Sequence, residues 1–406
     1  MSQLAAEKEY RYWLCNLPGF GARKIATLLH WFGSAEEVWK SSRESFGKLV
    51  GETETSNRSF READMIRLLD AKPKLEFFIE DYHKLKEKGI RFITPADSEY
   101  PERLRHLYDM PQSLYVKGNL PADEIPSAAI VGARSCSHYG EELSSVLAGE
   151  LCSRGVNIIS GMALGIDGAA HRGAIEAERR GCVKGCTEDC GGTYAVLGCG
   201  VDVCYPRNHY DIYQYLGGKS GLREAEDESA ALRQPKKGGL LSEFPPGTQP
   251  YASNFPMRNR IISGLADMVI VVEARFRSGS LITADQALEQ GRDVYAVPGR
   301  VTDPLSRGCN ELIRQGAEII TDPVEFARNK FPKQDKINHN CKKSEIALAL
   351  SEEKVYSCLD FNPMYLGTIV NLTGFSAQDT ACILMQLMMK ELVVETSKNY
   401  YALKFR

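Results

Sequence analysis

The chain has 406 residues, a formal net charge of −3, 43% hydrophobic and 25% charged residues. That length exceeds what one core holds, so two or three domains are expected, and the near-neutral balance excludes a global basic field, leaving any polyanion to a local patch. No apolar run approaches the ~20 residues of a membrane span, no basic stretch followed by an apolar one marks a secretory signal, and several of the 12 cysteines sit in apolar runs (Cys152, Cys199, Cys358, Cys382), as reduced thiols of a cytoplasmic protein do.

Residues 1–70 read as a helical domain. Leu17-Pro-Gly-Phe-Gly-Ala-Arg-Lys24 precedes Ile25, Leu28, Leu29 and Phe32, apolar at helical spacing. Its Pro-Gly-x-Gly turn is of the helix–hairpin–helix kind, which either offers backbone N–H groups to a DNA phosphate or serves packing alone. Residues 71–120 hold a helix (75–87) and two strands (90–94, 113–116) that extend the next domain. From 121 to 330 strands and helices alternate, with strands at 128–131, 156–160, 193–197, 240–243, 268–273, 294–297 and 318–321. Helices lie between them, for example 141–152 and 281–290, with Ser280 as an N-cap and Gly291 as the C′ glycine. This alternation predicts an α/β fold with a Rossmann-like parallel sheet over 71–330. Segments 176–192 and 216–238 read as insertions, and 331–345 as a linker. Residues 346–406 carry helices at 352–359, 365–373 and 377–390 and a hairpin at 392–404, the winged-helix pattern. The helix in the recognition position, 377–389, has no arginine or lysine, so a protein-contact or packing role is favoured over DNA reading.

Function concentrates where apolar runs stop at glycine, because ligands of open α/β sheets sit beyond the carboxyl ends of the strands. Gly132-Ala-Arg134 and Ser135 follow one strand. Gly132 is expected to let a ligand near the backbone, Arg134 to fork onto a phosphate, and the helix starting near Ser137 to add its N-terminal positive end. Gly161 follows the next strand, and Gly198 and Gly200 the third, leading to Tyr205-Pro-Arg207-Asn208. Asn254-Phe255-Pro-Met-Arg258-Asn259-Arg260 sets an aromatic among amides and arginines, the composition that stacks single-stranded bases while neutralising the backbone. Ser278-Gly279-Ser280 opens a helix with hydroxyls and N–H groups. Asp167 reads first as an N-cap, His171 as a packing histidine, and Glu273 and Asp267 as partners of nearby arginines.

These segments together resemble the DNA-processing protein A family (DprA, also called Smf). The likeness rests on Val131-Gly-Ala-Arg-Ser135, Ser160-Gly-Met-Ala-Leu-Gly-Ile-Asp-Gly-Ala-Ala-His171, Val196-Leu-Gly-Cys-Gly-Val-Asp-Val-Cys-Tyr-Pro206 and Leu241-Ser-Glu-Phe-Pro-Pro-Gly247. It continues through Asn254 to Ile262, Ser278 to Ala284 and Gln290 to Gly299. The resemblance implies a single-stranded-DNA-binding recombination mediator, usually a homodimer, that protects incoming DNA and loads RecA onto it in natural transformation or recombination, with no cofactor and no catalysis. It carries phosphate contact over to Arg134. The basic residue after Tyr-Pro, usually lysine in the family, is Arg207 here. Departing from the family, Cys182, Cys186 and Cys190 lie at four-residue steps. Without CxxC spacing they are a weak zinc candidate, and no metal is expected.

The alternative is a nucleotide-processing enzyme of the Rossmann-like phosphoribohydrolase type. Those enzymes carry a Pro-Gly-Gly-x-Gly-Thr-x-x-Glu loop, and the corresponding stretch here, Arg277 to Ala284, lacks both the double glycine and the acid. There is no P-loop either.

Overall fold

The computed structural model describes residues 3–55, 60–183, 190–218, 237–332, 349–390 and 392–404. The N-terminal stretch is helical, comprising α1 (Gln3–Cys15), α2 (Ala22–Phe32), α3 (Ala35–Lys40), α4 (Arg43–Thr55) and α5 (Glu62–Ala71), followed by α6 (Leu75–Glu87). Trp13, Leu28, Phe46, Phe60 and Leu68 make its core, and Leu75 of α6 joins them. The other end of α6 faces the sheet, where Leu85 packs with Tyr12, Phe92 and Tyr115. Tyr12 Oη donates to Asp81 (2.5 Å), and Tyr115 Oη to Asn16 (2.9 Å). α6 thus serves both cores, so a division after residue 70 falls just ahead of a shared helix.

Nine strands form one sheet: β1 (Arg91–Ile93), β2 (Leu114–Gly118), β3 (Ser127–Val131), β4 (Asn157–Ser160), β5 (Thr193–Val196), β6 (Gly238–Ser242), β7 (Met268–Val271), β8 (Asp293–Ala296) and β9 (Glu318–Ile319). Their order is β1-β2-β6-β5-β4-β3-β7-β8-β9. β3 to β9 pair in parallel, and β1 and β2 add antiparallel at one edge. This is the expected Rossmann-like core. Its helices are α7 (Glu102–Arg105), α8 (His138–Ser153), α9 (Ile166–Val183), α10 (Tyr210–Gly217), α11 (Asn254–Leu265), α12 (Gly279–Glu289), α13 (Arg307–Arg314) and α14 (Pro323–Lys330). Strand alternation sorts the two faces. Ala129 and Val131 pack toward α7, α11, α12 and α13 with Leu104, Ile262 and Ala284. Ala128 and Ile130 pack toward α8, α9 and α14 with Leu147, Ala174 and Ala327. Both faces are covered, which is why these strands read as unbroken apolar runs. From β3 the chain steps through β4, β5 and β6 to one side. It then returns to β7, on the other side of β3. The junction of β3 and β7 is therefore the topological switch point.

The C-terminal unit has α15 (Leu350–Cys358), β10 (Met364–Tyr365), α16 (Leu366–Thr373), α17 (Ala377–Met389), β11 (Val393–Ser397) and β12 (Tyr400–Leu403), with sheet order β10-β12-β11. Gly374, at φ +71°, ends α16, and Ser376 caps α17. Three helices and a wing are the arrangement expected. α17 exposes Met385 and Met389.

Several expectations change. α9 runs on to Val183, so the first half of the expected 176–192 insertion is helix. Most of the 216–238 insertion and the linker lie outside the described residues, as do the side chain of Cys182 and all of Cys186. Cys190 is buried, and no metal-binding cluster occurs among the described residues. Asp167 does not cap α9, which begins one residue earlier, and α12 is capped by Ser278 rather than Ser280.

α8 and α9 cross at glycines. A Cβ on Gly173 would sit 2.0 Å from the Ser145 carbonyl oxygen. In a helix interior alanine is otherwise favoured over glycine by about 1 kcal/mol, whereas overpacking against fixed backbone costs about 1–3 kcal/mol. Gly173→Ala is accordingly expected to destabilise the fold, read as a lower urea midpoint. A raised midpoint would show that the helices separate freely.

Candidate functional site

At the switch point the carboxyl ends of β3 and β7 open into a cleft of about 910 Å³. Arg134, Arg258, Arg275 and Arg277 line it with a single acid, Asp167, and with Tyr205, Phe255 and Phe276. The sequence carries no net positive charge to speak of, so this concentration of arginine is the local patch that a polyanion requires.

The exit of β3 turns Arg134 and Ser135 outward; both are exposed. Gly132 lines the cleft, and its missing side chain also serves packing. A Cβ there would lie 2.6 Å from Ile166 and 2.9 Å from the Glu273 carbonyl. Ser137 caps α8 as expected, accepting from Gly140 N–H at 3.0 Å. The positive end of that helix is nevertheless already taken. The Glu273 carboxylate accepts from Ser137 N–H (2.8 Å) and Ser137 Oγ (2.5 Å), and a Cβ on Gly140 would strike it. Glu273 is thus a carboxylate cap rather than the partner of an arginine. Asp267 does pair with Arg103 (3.0 Å).

The exits of β4 and β5 are held from below by Arg258. Expected to neutralise a phosphate, Arg258 is instead only 4% exposed. Its Nη1 donates to the carbonyls of Gly161 (2.8 Å) and Val196. Gly161 is obligatory, because a Cβ would lie 2.3 Å from that guanidinium. Asp167 balances the charge nearby and fixes the loop by accepting from Gly161 N–H (3.1 Å) and Ala163 N–H (3.4 Å). Burial pushes the Arg258 pKa down to about 10, opposed by Asp167, so it stays charged at neutral pH. Burial likewise pushes Asp167 up, opposed first by Arg258.

Phe255 lies at the start of α11 against the glycine that ends β5; a Cβ on Gly198 would come within 2.9 Å of the ring. Tyr205 packs on it at 5.8 Å between centroids, and the Arg134 guanidinium lies 5.0 Å from its centroid. Arg207 and Asn208 are exposed on the following turn, beyond the cleft lining. Asn254 is buried and donates to Gly198 O (3.1 Å). Asn259 lines the cleft and donates to Gly279 O (3.3 Å), joining α11 to α12. Arg260, expected at the site, points elsewhere. It is 6% exposed and paired with Glu243 (2.6 Å) and Asp109 (3.1 Å). Gly279 lines the cleft with open space at its Cα, and Ser280 is buried in the first turn of α12.

Arg275, Phe276 and Arg277 were not assigned from the sequence. All three are exposed and line the cleft. The signal was present: an aromatic between two arginines just past a strand end repeats the composition of residues 254–260. In the N-terminal turn, α2 starts at Ala22 behind Gly21, which provides no side-chain cap. There Lys24 pairs with Asp64 (2.8 Å) and Arg23 lies over Tyr108 (4.6 Å).

None of the acid–base candidates is poised for chemistry. His171 is fully buried, as expected of a packing residue. Thr193 Oγ1 donates to Ile158 O (3.2 Å) and so accepts from His171 Nδ1–H (2.8 Å), leaving Nε2 without a partner among the described residues. Burial first, then the charges of His209, Arg172 and Arg258, push its pKa down to about 3. His209 is lowered by burial as well, and its Nδ1 meets Met162 O at 3.1 Å.

The profile of the family described as DNA recombination-mediator protein A matches residues 91–330. Among curated relatives, protein Smf of Escherichia coli K12 is 43% identical over 244 residues, covering 60% of this chain and 58% of that protein, less than two thirds of its length. DNA processing protein DprA of Streptococcus pneumoniae is 40% identical over 250 residues, covering 60% and 76%. The crystal structure of DNA processing protein A from S. pneumoniae superposes with a TM-score of 0.52 at 32% identity, over 77% of this chain and 99% of that one.

Two outcomes follow from this geometry. Arg258→Ala strands two buried carbonyls and Asp167, and is expected to cost about 3 kcal/mol of stability, seen in urea denaturation. A change within about 0.5 kcal/mol, the range of ordinary surface substitutions, would refute the buried role. Separately, His171 is neutral in the folded state down to pH about 3, while the unfolded chain takes up its proton below about 6.5. The unfolded state therefore binds more protons, and stability falls as pH drops from about 6.5, by up to about 1.4 kcal/mol per unit from this group. Denaturation at pH 7.5 and 5.5 should show the loss, and His171→Gln should reduce it. At more acidic pH Asp167 and Glu243, raised by burial, bend the slope the other way.

Proposed function

The chain belongs to the DNA recombination-mediator protein A family, and we propose that it binds single-stranded DNA in the switch-point cleft without regard to sequence. The observation that carries this reading is the convergence of Arg134, Arg275 and Arg277 with exposed aromatic surface in one concavity. Arginine neutralises the backbone and aromatic faces take any base. Gly279 and Asn259 supply polar groups at the rim, and Arg207 with Asn208 continues the basic surface past Tyr205. Gly132 lines the cleft, while the buried Gly161, Asn254 and Arg258 build it rather than touch DNA, and Arg260 acts outside it.

The same reading makes the protein a mediator of recombination in the cytoplasm. As a homodimer it joins two grooves and gains avidity, protects the strand taken up in natural transformation, and hands it to RecA. The family resemblance supports these steps. No described helix is long and apolar enough to cross a membrane.

The nucleotide-processing alternative loses its reagents. Asp167 is spent on backbone N–H groups, Glu273 on the α8 terminus, and His171 is buried and neutral. General acid–base catalysis needs such groups within reach of substrate.

The test is fluorescence anisotropy with labelled single-stranded and duplex oligonucleotides across salt. Wild type should prefer the single strand and weaken steeply with salt. Arg134→Ala should lose about 10- to 100-fold in affinity, reduce the salt slope by about 0.7, and keep its urea midpoint. Equal affinity for duplex, or an unaffected mutant, would defeat the reading.

A further inference from the structure

We propose that Phe276 is the principal base-stacking station of the cleft, presented by the loop between β7 and α12; the inference rests on the single-stranded-DNA reading above. The sequence pointed to Phe255, but the structure surrounds that ring. Arg134, Arg258 and Tyr205 all lie against it, and the Gly198 backbone closes on its edge. Phe255 is half-buried and stiffens the floor. Phe276, by contrast, is 61% exposed, and its described ring contact is Arg277, whose Cζ lies 5.6 Å from the centroid.

The loop holds this ring out on a fixed base. Ala274 N–H donates to Leu305 O, and Gly308 N–H to Ala274 O, both at 2.8 Å, so the root is pinned to the turn before α13 and to the first turn of α13 itself. Ser278 N–H donates to Arg275 O (3.1 Å), closing a tight turn around Phe276 and Arg277, and Ser278 then caps α12. Arg277 pays for that turn with a left-handed backbone at φ +62°. Three described non-glycine residues share that conformation. Asn399 sits in the wing hairpin, where asparagine tolerates it, Met162 is fully buried next to Ala163 of the cleft lining, and Arg277 lines the cleft itself. Strain of this kind persists where surrounding structure enforces it and gathers at binding sites. An exposed aromatic held between Arg275 and Arg277 gives a base one π-face and its two flanking phosphates one guanidinium each. The ligand is a nucleobase of either class within a continuous single strand, because stacking carries no hydrogen-bond readout.

The experiment measures anisotropy of the full chain on a labelled oligothymidylate and on a set of the same oligomer with one abasic position moved along it. Phe276→Ala should weaken binding about 5- to 100-fold with an unchanged salt slope, since no charge is lost. Phe276→Trp should restore it. Wild type should lose a comparable factor at one abasic position, and Phe276→Ala should lose nothing further there, the coupling expected of a ring and a base in contact. Arg277→Gly, which keeps the left-handed turn open, should lower affinity and salt slope together. Affinity of Phe276→Ala within twofold of wild type, or equal losses at every abasic position, overturns the proposal. If Arg134→Ala still loses affinity in the same series, the cleft reading survives that failure. If wild type itself does not bind, both fall.

Discussion

One buried cation organises the cleft. Arg258 reaches from α11 under the ends of β4 and β5 and donates to carbonyls of both. Gly161 lies just past β4 and Val196 ends β5, where the strands give out, and an orphaned buried carbonyl is costly. A single guanidinium nitrogen, Nη1, serves both carbonyls with its two N–H groups. The charge is tolerated because Asp167 is close and because the carbonyl dipoles point at it. Around this cation the neighbouring residues become obligatory. Gly161 cannot hold a side chain, Asp167 must face inward, and Phe255, three residues earlier on α11, is set at the mouth of the same pocket.

A second tie works on the other side of the switch point. β3 and β7 pair side by side up to that point, and beyond it the Ala133 N–H still donates to the Glu273 carbonyl (2.7 Å), which ties the segments that follow them. The side chain of Glu273, just past β7, adds to this by capping α8, which follows β3. The carboxylate occupies the helix terminus that would otherwise attract a phosphate. On the proposed reading, anion binding is thereby displaced from the backbone of α8 to the side chains of Arg134, Arg275 and Arg277. That shift suits a long, mobile polyanion. A helix terminus grips one phosphate in one place, whereas arginines on flexible stems follow a strand whose register is not fixed.

The fold was legible because its signals are local. Apolar runs of four or five residues ending at glycine gave the strands, and 3.6-residue spacing gave the helices between them. The site was legible by segment and not by side-chain direction. Asn254, Phe255, Arg258, Asn259 and Arg260 share one helical stretch, yet Arg258 and Arg260 face opposite interiors. A run of cations in one motif carries no mark of which one is buried; that depends on acceptors supplied by strands roughly 60 and 100 residues away in sequence. The same blindness concealed Glu273, whose partner Ser137 lies 136 positions earlier. The exposure of Phe276 was hidden for a different reason. A ring beside a strand end reads first as core, and only exposure distinguishes a platform from packing.

The division of labour between the two rings follows from what each contact requires. A ring that orients a site must be held, and holding it consumes its faces, as Arg134, Tyr205 and Gly198 consume those of Phe255. A ring that receives bases must keep a face open in water, at the expense of exposed apolar area that folding would rather bury. The proposed division assigns these demands to one aromatic on a helix, where packing fixes it, and another on a short turn anchored at both ends. The turn's strain is sustained by hydrogen bonds to the start of α12 and to α13, helices that pack in the sheet domain's core. Rigidity beneath an exposed ring limits the ordering that capture of a flexible strand must supply, and that strand already gives up much of its own freedom on binding.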